Sequence, residues 1–137
     1  MDSSFKRPGA SGLSFTTVGL LALFATGVWQ SAHAQAAADG ERLFRQRCAS
    51  CHSIDTGGRG TGPSLAGVFG REAGSLTGAR YSQAMQDARL IWDEETLDSF
   101  LGDPRRTVPG TTMAVRVANQ AQRAAIISFL RESSDGE

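Results

Sequence analysis

The feature that most constrains this chain is the run Cys48-Ala49-Ser50-Cys51-His52, which contains both of its cysteines. Two thiols separated by two residues and followed directly by an imidazole suit several kinds of site. These are covalent attachment of a haem, a zinc site, a redox-active dithiol and a simple disulfide. The choice among them depends on the cellular compartment and on the other ligands that the chain offers.

The first 34 residues have the composition of an export signal. Lys6 and Arg7 form a short basic region, an uncharged and mainly apolar stretch runs over residues 13–29, and Ala32-His33-Ala34 supplies small residues for signal peptidase. This order is typical of a secretory signal peptide. The alternative is a retained membrane anchor, for which the stretch is short. We therefore predict a signal peptide at residues 1–34, a mature domain at residues 35–137, a periplasmic location and no stable membrane insertion.

Loss of this segment leaves His52 as the single histidine of the mature chain. A structural zinc site needs four ligands, whereas the mature chain offers three, Cys48, Cys51 and His52. A thioredoxin-like dithiol belongs beside a βαβ pattern, which this sequence lacks. A disulfide suits an oxidising compartment but leaves the adjacent histidine without a role. The run therefore favours one haem c, held by thioethers from Cys48 and Cys51, with His52 facing the iron.

The mature sequence predicts an all-α domain in which short helices are joined by glycine-rich loops. Helices are expected at four places: after a cap at Asp39, over residues 82–89, after Asp93, and from Asn119 along the terminal apolar stripe. Few large apolar residues lie between residues 53 and 88. Because a small domain with so little core usually needs a metal or a cofactor, this composition agrees with the haem prediction.

A second axial ligand for the iron must come from a residue other than histidine. The mature chain has two methionines, Met85 and Met113, and methionine is a common partner of histidine in haem proteins. Met113 follows Pro109 and Gly110 in a stiff loop that can hold a thioether in place. Met85 lies among polar residues of a short helix, where it is expected to fill a gap in the core. The sequence favours Met113 as the ligand.

Taken in order, several runs of this sequence resemble those of class I c-type cytochromes of the mitochondrial and bacterial c2-like type. They are GERLFRQRCASCH, TGPSLAGVFGREAG, Tyr81, Ile91-Trp92, EETLDSFLGDP, VPGTTM and the terminal helix. The resemblance implies a small single-domain cytochrome c fold, with about four to five helices and glycine-rich loops wrapped around one covalent haem. It also implies that His52 and Met113 are the axial ligands of the iron.

The resemblance assigns further residues to the haem pocket. The carbonyl of Pro63 would accept a hydrogen bond from Nδ1 of His52 and so fix the ligand ring. Thr111 matches a hydroxyl position beside the methionine loop, and Gly40 of the first helix would pack closely against Phe129 of the last. Three side chains match positions that neutralise or hydrogen-bond the haem propionates: Arg71, Tyr81 and Trp92.

The sequence departs from this family at points that bear on ligation and docking. Phe100 stands where the mitochondrial type usually has a tyrosine near the methionine sulfur. Removal of residues 1–34 leaves 12 arginines, no lysine and 13 acids, a net charge of −1. Mitochondrial cytochromes instead surround the exposed haem edge with lysines. Arg105 and Arg106, just before the methionine loop, form the only adjacent basic pair of the mature chain.

The predicted function is that of a soluble periplasmic one-electron carrier. The expected partners are an oxidase, a quinol–cytochrome c reductase or a periplasmic dehydrogenase, and the expected state is a monomer. Nucleic-acid binding is not expected, because the chain lacks an excess of positive charge. Enzymatic activity is not expected either, apart from weak peroxidase activity if the methionine ligand is labile. The alternative, suggested by the missing lysines, is a dedicated haem c subunit of one periplasmic oxidoreductase complex.

Overall fold

The computed structural model describes residues 25–57 and 60–135, with side chains from residue 35 to residue 134. Most of the predicted export segment therefore lies outside the described residues. The only β pairing in the described ranges is an isolated bridge between Glu72 and Ile91. The prediction of an all-α fold is confirmed. Five helices occur in these ranges: α1 Ala25–Arg47, α2 Gln83–Gln86, α3 Glu94–Gly102, α4 Pro104–Thr107 and α5 Gln120–Asp135.

The two longest helices, α1 and α5, pack against each other. Their approach is close because Gly40 of α1 has no side chain. A Cβ at this position would strike the carbonyl group of Ala125 and lie 2.8 Å from Cβ of Phe129. One turn further along α1, the ring of Phe44 lies 5.5 Å from that of Phe129, a separation typical of favourable aromatic pairs. The predicted contact between the terminal helices is therefore confirmed.

Helix α1 begins earlier than the sequence predicted, and the proposed cap at Asp39 was wrong. Asp39 is an interior residue of α1, with its carboxylate 3.5 Å from the guanidinium of Arg42. Residues 36–38 are all alanine, the residue of highest helix propensity, so the helix continues through them. It also continues across the predicted cleavage position after Ala34. No helix within the described residues is long and apolar enough to cross a membrane.

Helix α3 begins where the sequence predicted. Oδ1 of Asp93 accepts a hydrogen bond from the N–H of Thr96 at 2.8 Å, and the N–H of Asp93 donates to Oγ1 of Thr96 at 2.9 Å. Together these bonds form a capping box. Pro104 lies just beyond the end of α3, as expected. It also opens the short helix α4, which was not predicted from the sequence, at a first-turn position where proline needs no N–H partner.

The glycine-rich segment between α1 and α3 folds back on the residues just before α3. The N–H of Trp92 donates to the carbonyl of Arg71 at 2.9 Å, and the N–H of Gly70 donates to the carbonyl of Trp92 at 2.7 Å. Within this segment the helix expected at residues 82–89 is a single turn, α2, capped by the Ser82 side chain. These bonds hold the segment as one wall of an interior cavity, which the helices complete.

Candidate haem-binding site

Segments from most of the described chain enclose one cavity of about 290 Å³. Its wall is largely apolar, with contributions from α1, α3, α5 and the glycine-rich segment: Phe44, Leu65, Val68, Leu97, Leu101, Ile126 and Leu130. A mainly apolar cavity with a few convergent polar groups is the usual form of a cofactor site. All of the site residues predicted from the sequence line it: Cys48, Cys51, His52, Pro63, Arg71, Tyr81, Trp92, Thr111 and Met113.

The two cysteines lie on a tight turn directly after α1. The N–H groups of Cys51 and His52 both donate to the carbonyl of Cys48, each at 2.9 Å, and both thiols line the cavity. The thiols are not joined by a disulfide. Burial raises the pKa of the Cys48 thiol, whereas a hydrogen bond with the hydroxyl of Thr61 lowers the pKa of the Cys51 thiol. Cys51 is therefore the more readily ionised of the two.

The imidazole of His52 is held by the loop that follows it. Its Nδ1 lies 2.8 Å from the carbonyl oxygen of Pro63, as the resemblance implied. Because a carbonyl can only accept a hydrogen bond, Nδ1 is the donor, and in the neutral ring Nε2 then keeps a lone pair for a metal. Gly62 makes room for the ring, since a Cβ there would lie 2.5 Å from Cε1 and 2.8 Å from Nδ1 of His52.

Arg71 brings a positive charge to the cavity wall. Its Nη1 donates to the carbonyl of Ala66 at 2.7 Å and its Nη2 to the carbonyl of Ser64 at 2.9 Å. Its Nε is buried and has no hydrogen-bond partner among the described residues. An unpaired buried donor on a cation is costly, so an anionic group in the cavity would be stabilised there. Trp92 and Tyr81, the other two positions assigned to the propionates, line the same cavity.

Met113 follows a loop whose backbone is fixed locally. The N–H of Thr111 donates to the carbonyl of Val108 at 3.0 Å, and Oγ1 of Thr111 accepts from the N–H of Met113 at 3.3 Å. Gly110 has φ of +94°, a conformation that residues with a side chain rarely adopt. Met85 is buried in the core, as the sequence predicted for a gap-filling residue, and it lines the cavity as well.

The residues around the cavity fit a covalently attached haem. The apolar wall suits a porphyrin, and the two neighbouring thiols suit its two vinyl groups. His52 offers an imidazole nitrogen, Met113 offers a thioether, and the orphaned Nε–H of Arg71 suits a propionate.

Comparison with known proteins decides the family. The cytochrome c family model matches residues 37–134, well over half of the chain. The chain belongs to the cytochrome c family. This cytochrome is 37% identical to cytochrome c of Nigella damascena over 99 residues, 71% of the chain and 89% of the relative. It is 45% identical to cytochrome c2 iso-2 of Magnetospirillum fulvum over 85 residues, 61% of the chain and 88% of the relative. It is 39% identical to cytochrome c of Euglena viridis over 97 residues, 70% of the chain and 95% of the relative.

Membership of the family confirms the predicted cofactor and the general function. Cytochromes c carry haem c covalently on a cysteine pair, and this chain has the pair at Cys48 and Cys51. This cytochrome is therefore a haem electron carrier, and its partners are redox proteins such as reductases and oxidases. The axial ligands, the individual partners and the cellular location stay predictions.

Three further residues shape the site: Gly62, Arg47 and Arg80. Gly62, which accommodates the ring of His52, carries no signal beyond its place directly before Pro63. Arg47 and Arg80 line the cavity although they are far apart in the sequence. Their meeting depends on the path of the glycine-rich segment, and hydrophobic periodicity does not reveal such a path.

Proposed function

We propose that this cytochrome is a soluble periplasmic one-electron carrier, with His52 and Met113 as the axial ligands of its haem. The observation that carries the proposal is that a single cavity is lined by the cysteine pair, by His52 and by Met113. If His52 and Met113 both hold the haem iron, no position would be open to a substrate, and electrons would be exchanged without bond chemistry at the metal. Haem c supplies this one-electron chemistry between its ferric and ferrous states.

The residues around the cavity orient the ligands and set the potential. The carbonyl of Pro63 fixes the tautomer and orientation of the His52 ring. As a ligand, the neutral thioether of Met113 would favour the ferrous state relative to a second imidazole. The buried apolar wall would disfavour the additional positive charge of the ferric state, which acts in the same direction. We therefore expect a higher reduction potential than that of a bis-histidine haem.

Location and partner class complete the proposal. Cleavage after Ala34 and export to the periplasm are supported by the basic, apolar and small-residue order of residues 1–34. Similarity to a bacterial cytochrome c2 adds to this support. The proposed partners are an oxidase, a quinol–cytochrome c reductase or a periplasmic dehydrogenase, which the protein meets as a monomer. Peroxidase activity is expected only when Met113 detaches.

Two methionine variants of the haem-loaded protein test the ligation. Met113→Ala should lose the sulfur-to-iron charge-transfer absorption of the ferric protein, bind imidazole and have a lower potential. Met85→Ala should keep that absorption and instead lower the free energy of unfolding by about 2–5 kcal/mol, the usual cost of truncating a buried methionine. Loss of the absorption in Met85→Ala alone would assign the sulfur ligand to Met85.

Export is tested by expressing the full chain and fractionating the cells. The expected product is a periplasmic protein that begins at Gln35 and carries one covalent haem by mass spectrometry. A haem protein that keeps residues 1–34 and stays in the membrane fraction would contradict the proposed cleavage. Co-purification in equal amounts with a single oxidoreductase would favour the alternative, a dedicated haem c subunit.

A further inference from the structure

The segment that follows Met113 is anchored close to the methionine. Residues 114–119 connect Met113 to α5. At the centre of the segment, Val117 is fully buried, with 0% of its surface exposed. The N–H of Val117 donates to the carbonyl of Leu101 in α3 at 2.8 Å. This bond fixes the backbone four residues beyond Met113.

One side chain of α5 binds the carbonyl groups at the same place. Nη1 of Arg123 donates to the carbonyls of Val117 and Ala118 at 3.1 and 3.0 Å. Nε and Nη2 of the same guanidinium bind the carboxylate of Asp98 in α3 at 2.7 and 3.2 Å. The side chain of Arg123 is 14% exposed and that of Asp98 is 39% exposed, so these charge-assisted bonds are partly shielded from water. Hydrogen bonding to Asp98 also raises the pKa of Arg123 above its ordinary value.

We propose that Arg123 is a positioning residue for Met113, because its guanidinium holds the segment after the methionine against α3 and α5. This inference rests on the proposed ligation by Met113. Thr111 fixes the backbone on the other side of the methionine. A loop held firmly on both sides of its ligand loses little conformational entropy when the thioether binds, whereas a loop held by fewer bonds on one side loses more at each rebinding.

A purely structural role of Arg123, as a tie between α3 and α5, is the competing explanation. Arg131 provides the matched comparison. It lies on α5, forms an ion pair with Glu94 of α3 and stacks over the ring of Phe69 at 4.7 Å. Within the described residues it forms no hydrogen bond to residues 114–119. Arg131→Leu therefore removes a tie between the same two helices without touching the methionine segment.

The test compares Arg123→Leu, Asp98→Ala and Arg131→Leu in the haem-loaded protein. Asp98→Ala breaks the ion pair but leaves Nη1 of Arg123 on the two carbonyls. We expect Arg123→Leu to bind imidazole roughly ten- to a hundredfold more tightly in the ferric state, since two hydrogen bonds to a charged donor are lost. We expect the two control variants to change this affinity less than about fivefold, as is typical for partly exposed ion pairs. Global unfolding in guanidinium is measured for all three.

The outcomes separate the two roles. A gain in imidazole affinity that follows the loss of global stability across all three variants would overturn the inference, as would unchanged affinity in Arg123→Leu. If Arg123→Leu does not accumulate, Arg123→Gln replaces it with the same expectation, because it keeps a polar side chain but removes the charged guanidinium. A wild-type protein without the sulfur-to-iron absorption would overturn the proposed ligation together with the inference. A normal wild-type absorption with an unaffected Arg123→Leu would overturn the inference alone.

Discussion

The Nε–H of Arg71 is buried at the cavity, while its two terminal nitrogens already bind the carbonyls of Ala66 and Ser64. A guanidinium stays charged at any pH that the fold survives, so it cannot relieve an unpaired donor by losing a proton. An anion beside Nε would relieve it instead. The two backbone bonds fix the position of the charge in the cavity wall, where it would act on a haem bound in the cavity.

We expect Arg71→Leu to lower the reduction potential. Loss of a nearby positive charge stabilises the ferric state, and the effect should be on the order of tens of millivolts for a charge about 10 Å away at an effective dielectric constant of about 20. Spectroelectrochemical titration measures it. Arg45→Leu is the control, because Arg45 is exposed on α1, pairs with Glu41 and does not line the cavity. Equal potentials in wild type and Arg71→Leu would contradict a role beside the haem.

At the scale of helices, the contact between α1 and α5 depends on the absence of one methyl group. We expect Gly40→Ala to destabilise the protein by about 1–3 kcal/mol or more, because the new Cβ meets backbone atoms of Ala125 that cannot move away. This cost opposes a gain of about 1 kcal/mol in helix propensity. The free energy of unfolding in guanidinium measures the sum.

Gly102→Ala is the matched control for Gly40→Ala. Gly102 also lies in a helix, but the nearest atom outside that helix to an added Cβ belongs to the side chain of Arg123 and is 3.7 Å away. The substitution should therefore leave stability unchanged or raise it by up to about 1 kcal/mol. Similar losses in both variants would show that the close approach of α1 and α5 does not control stability.

The N-cap residue of α3 makes the stability of the fold depend on pH. Hydrogen bonds from the backbone and hydroxyl of Thr96 lower the pKa of Asp93 below its ordinary value. A carboxyl whose pKa is lowered by folding stabilises the fold above its unfolded pKa, and this contribution disappears as the pH falls through the folded value. We expect wild type to be more stable than Asp93→Asn at pH 7, and the difference to shrink once the pH falls below about 4 and to vanish below the lowered pKa of the folded state.

Urea unfolding at a series of pH values measures this difference. Asparagine is a good N-cap, so Asp93→Asn keeps the hydrogen-bond acceptor and removes the titration. Glu72→Gln is the control, because Glu72 is an exposed carboxylate outside any helix. If the difference in unfolding free energy between wild type and Asp93→Asn does not change with pH, the N-cap stabilises the helix without a contribution from its charge.

Two aspartates show how much of this fold can be predicted from the sequence. Asp93 follows β-branched and aromatic residues and precedes helix formers, so the sequence changes character at the cap and the prediction was right. Asp39 follows three alanines, and the helix passes through it. At the site, the run from Cys48 to His52 was predictable because its chemistry requires fixed spacing. The contacts of Arg123 were not, because they depend on where segments distant in the sequence meet.

At the scale of the whole molecule, the net charge of −1 for residues 35–137 conceals an uneven distribution. Arg47 and Arg80 are exposed, line the cavity and form no ion pair with another described residue. The electrostatic potential at this part of the surface is therefore more positive than the net charge of the domain indicates. Four other arginines are neutralised by neighbouring acids, in the pairs Arg42–Asp39, Arg45–Glu41, Arg123–Asp98 and Arg131–Glu94.

This local field should govern the rate of electron exchange with small charged reagents. We expect an anionic oxidant to react faster than a cationic one of similar driving force, although the protein is net negative. The preference should fade as the ionic strength rises above about 0.1 M, where the Debye length is about 10 Å. Stopped-flow oxidation of the ferrous protein measures both rates.

The double variant Arg47→Gln/Arg80→Gln should react more slowly with the anionic reagent at low salt, and its rate should converge with that of wild type at high salt. Arg89→Gln, at an exposed arginine that does not line the cavity, should leave both rates unchanged. Equal effects of the double variant and of Arg89→Gln would mean that net charge, rather than the two arginines at the cavity, steers the encounter.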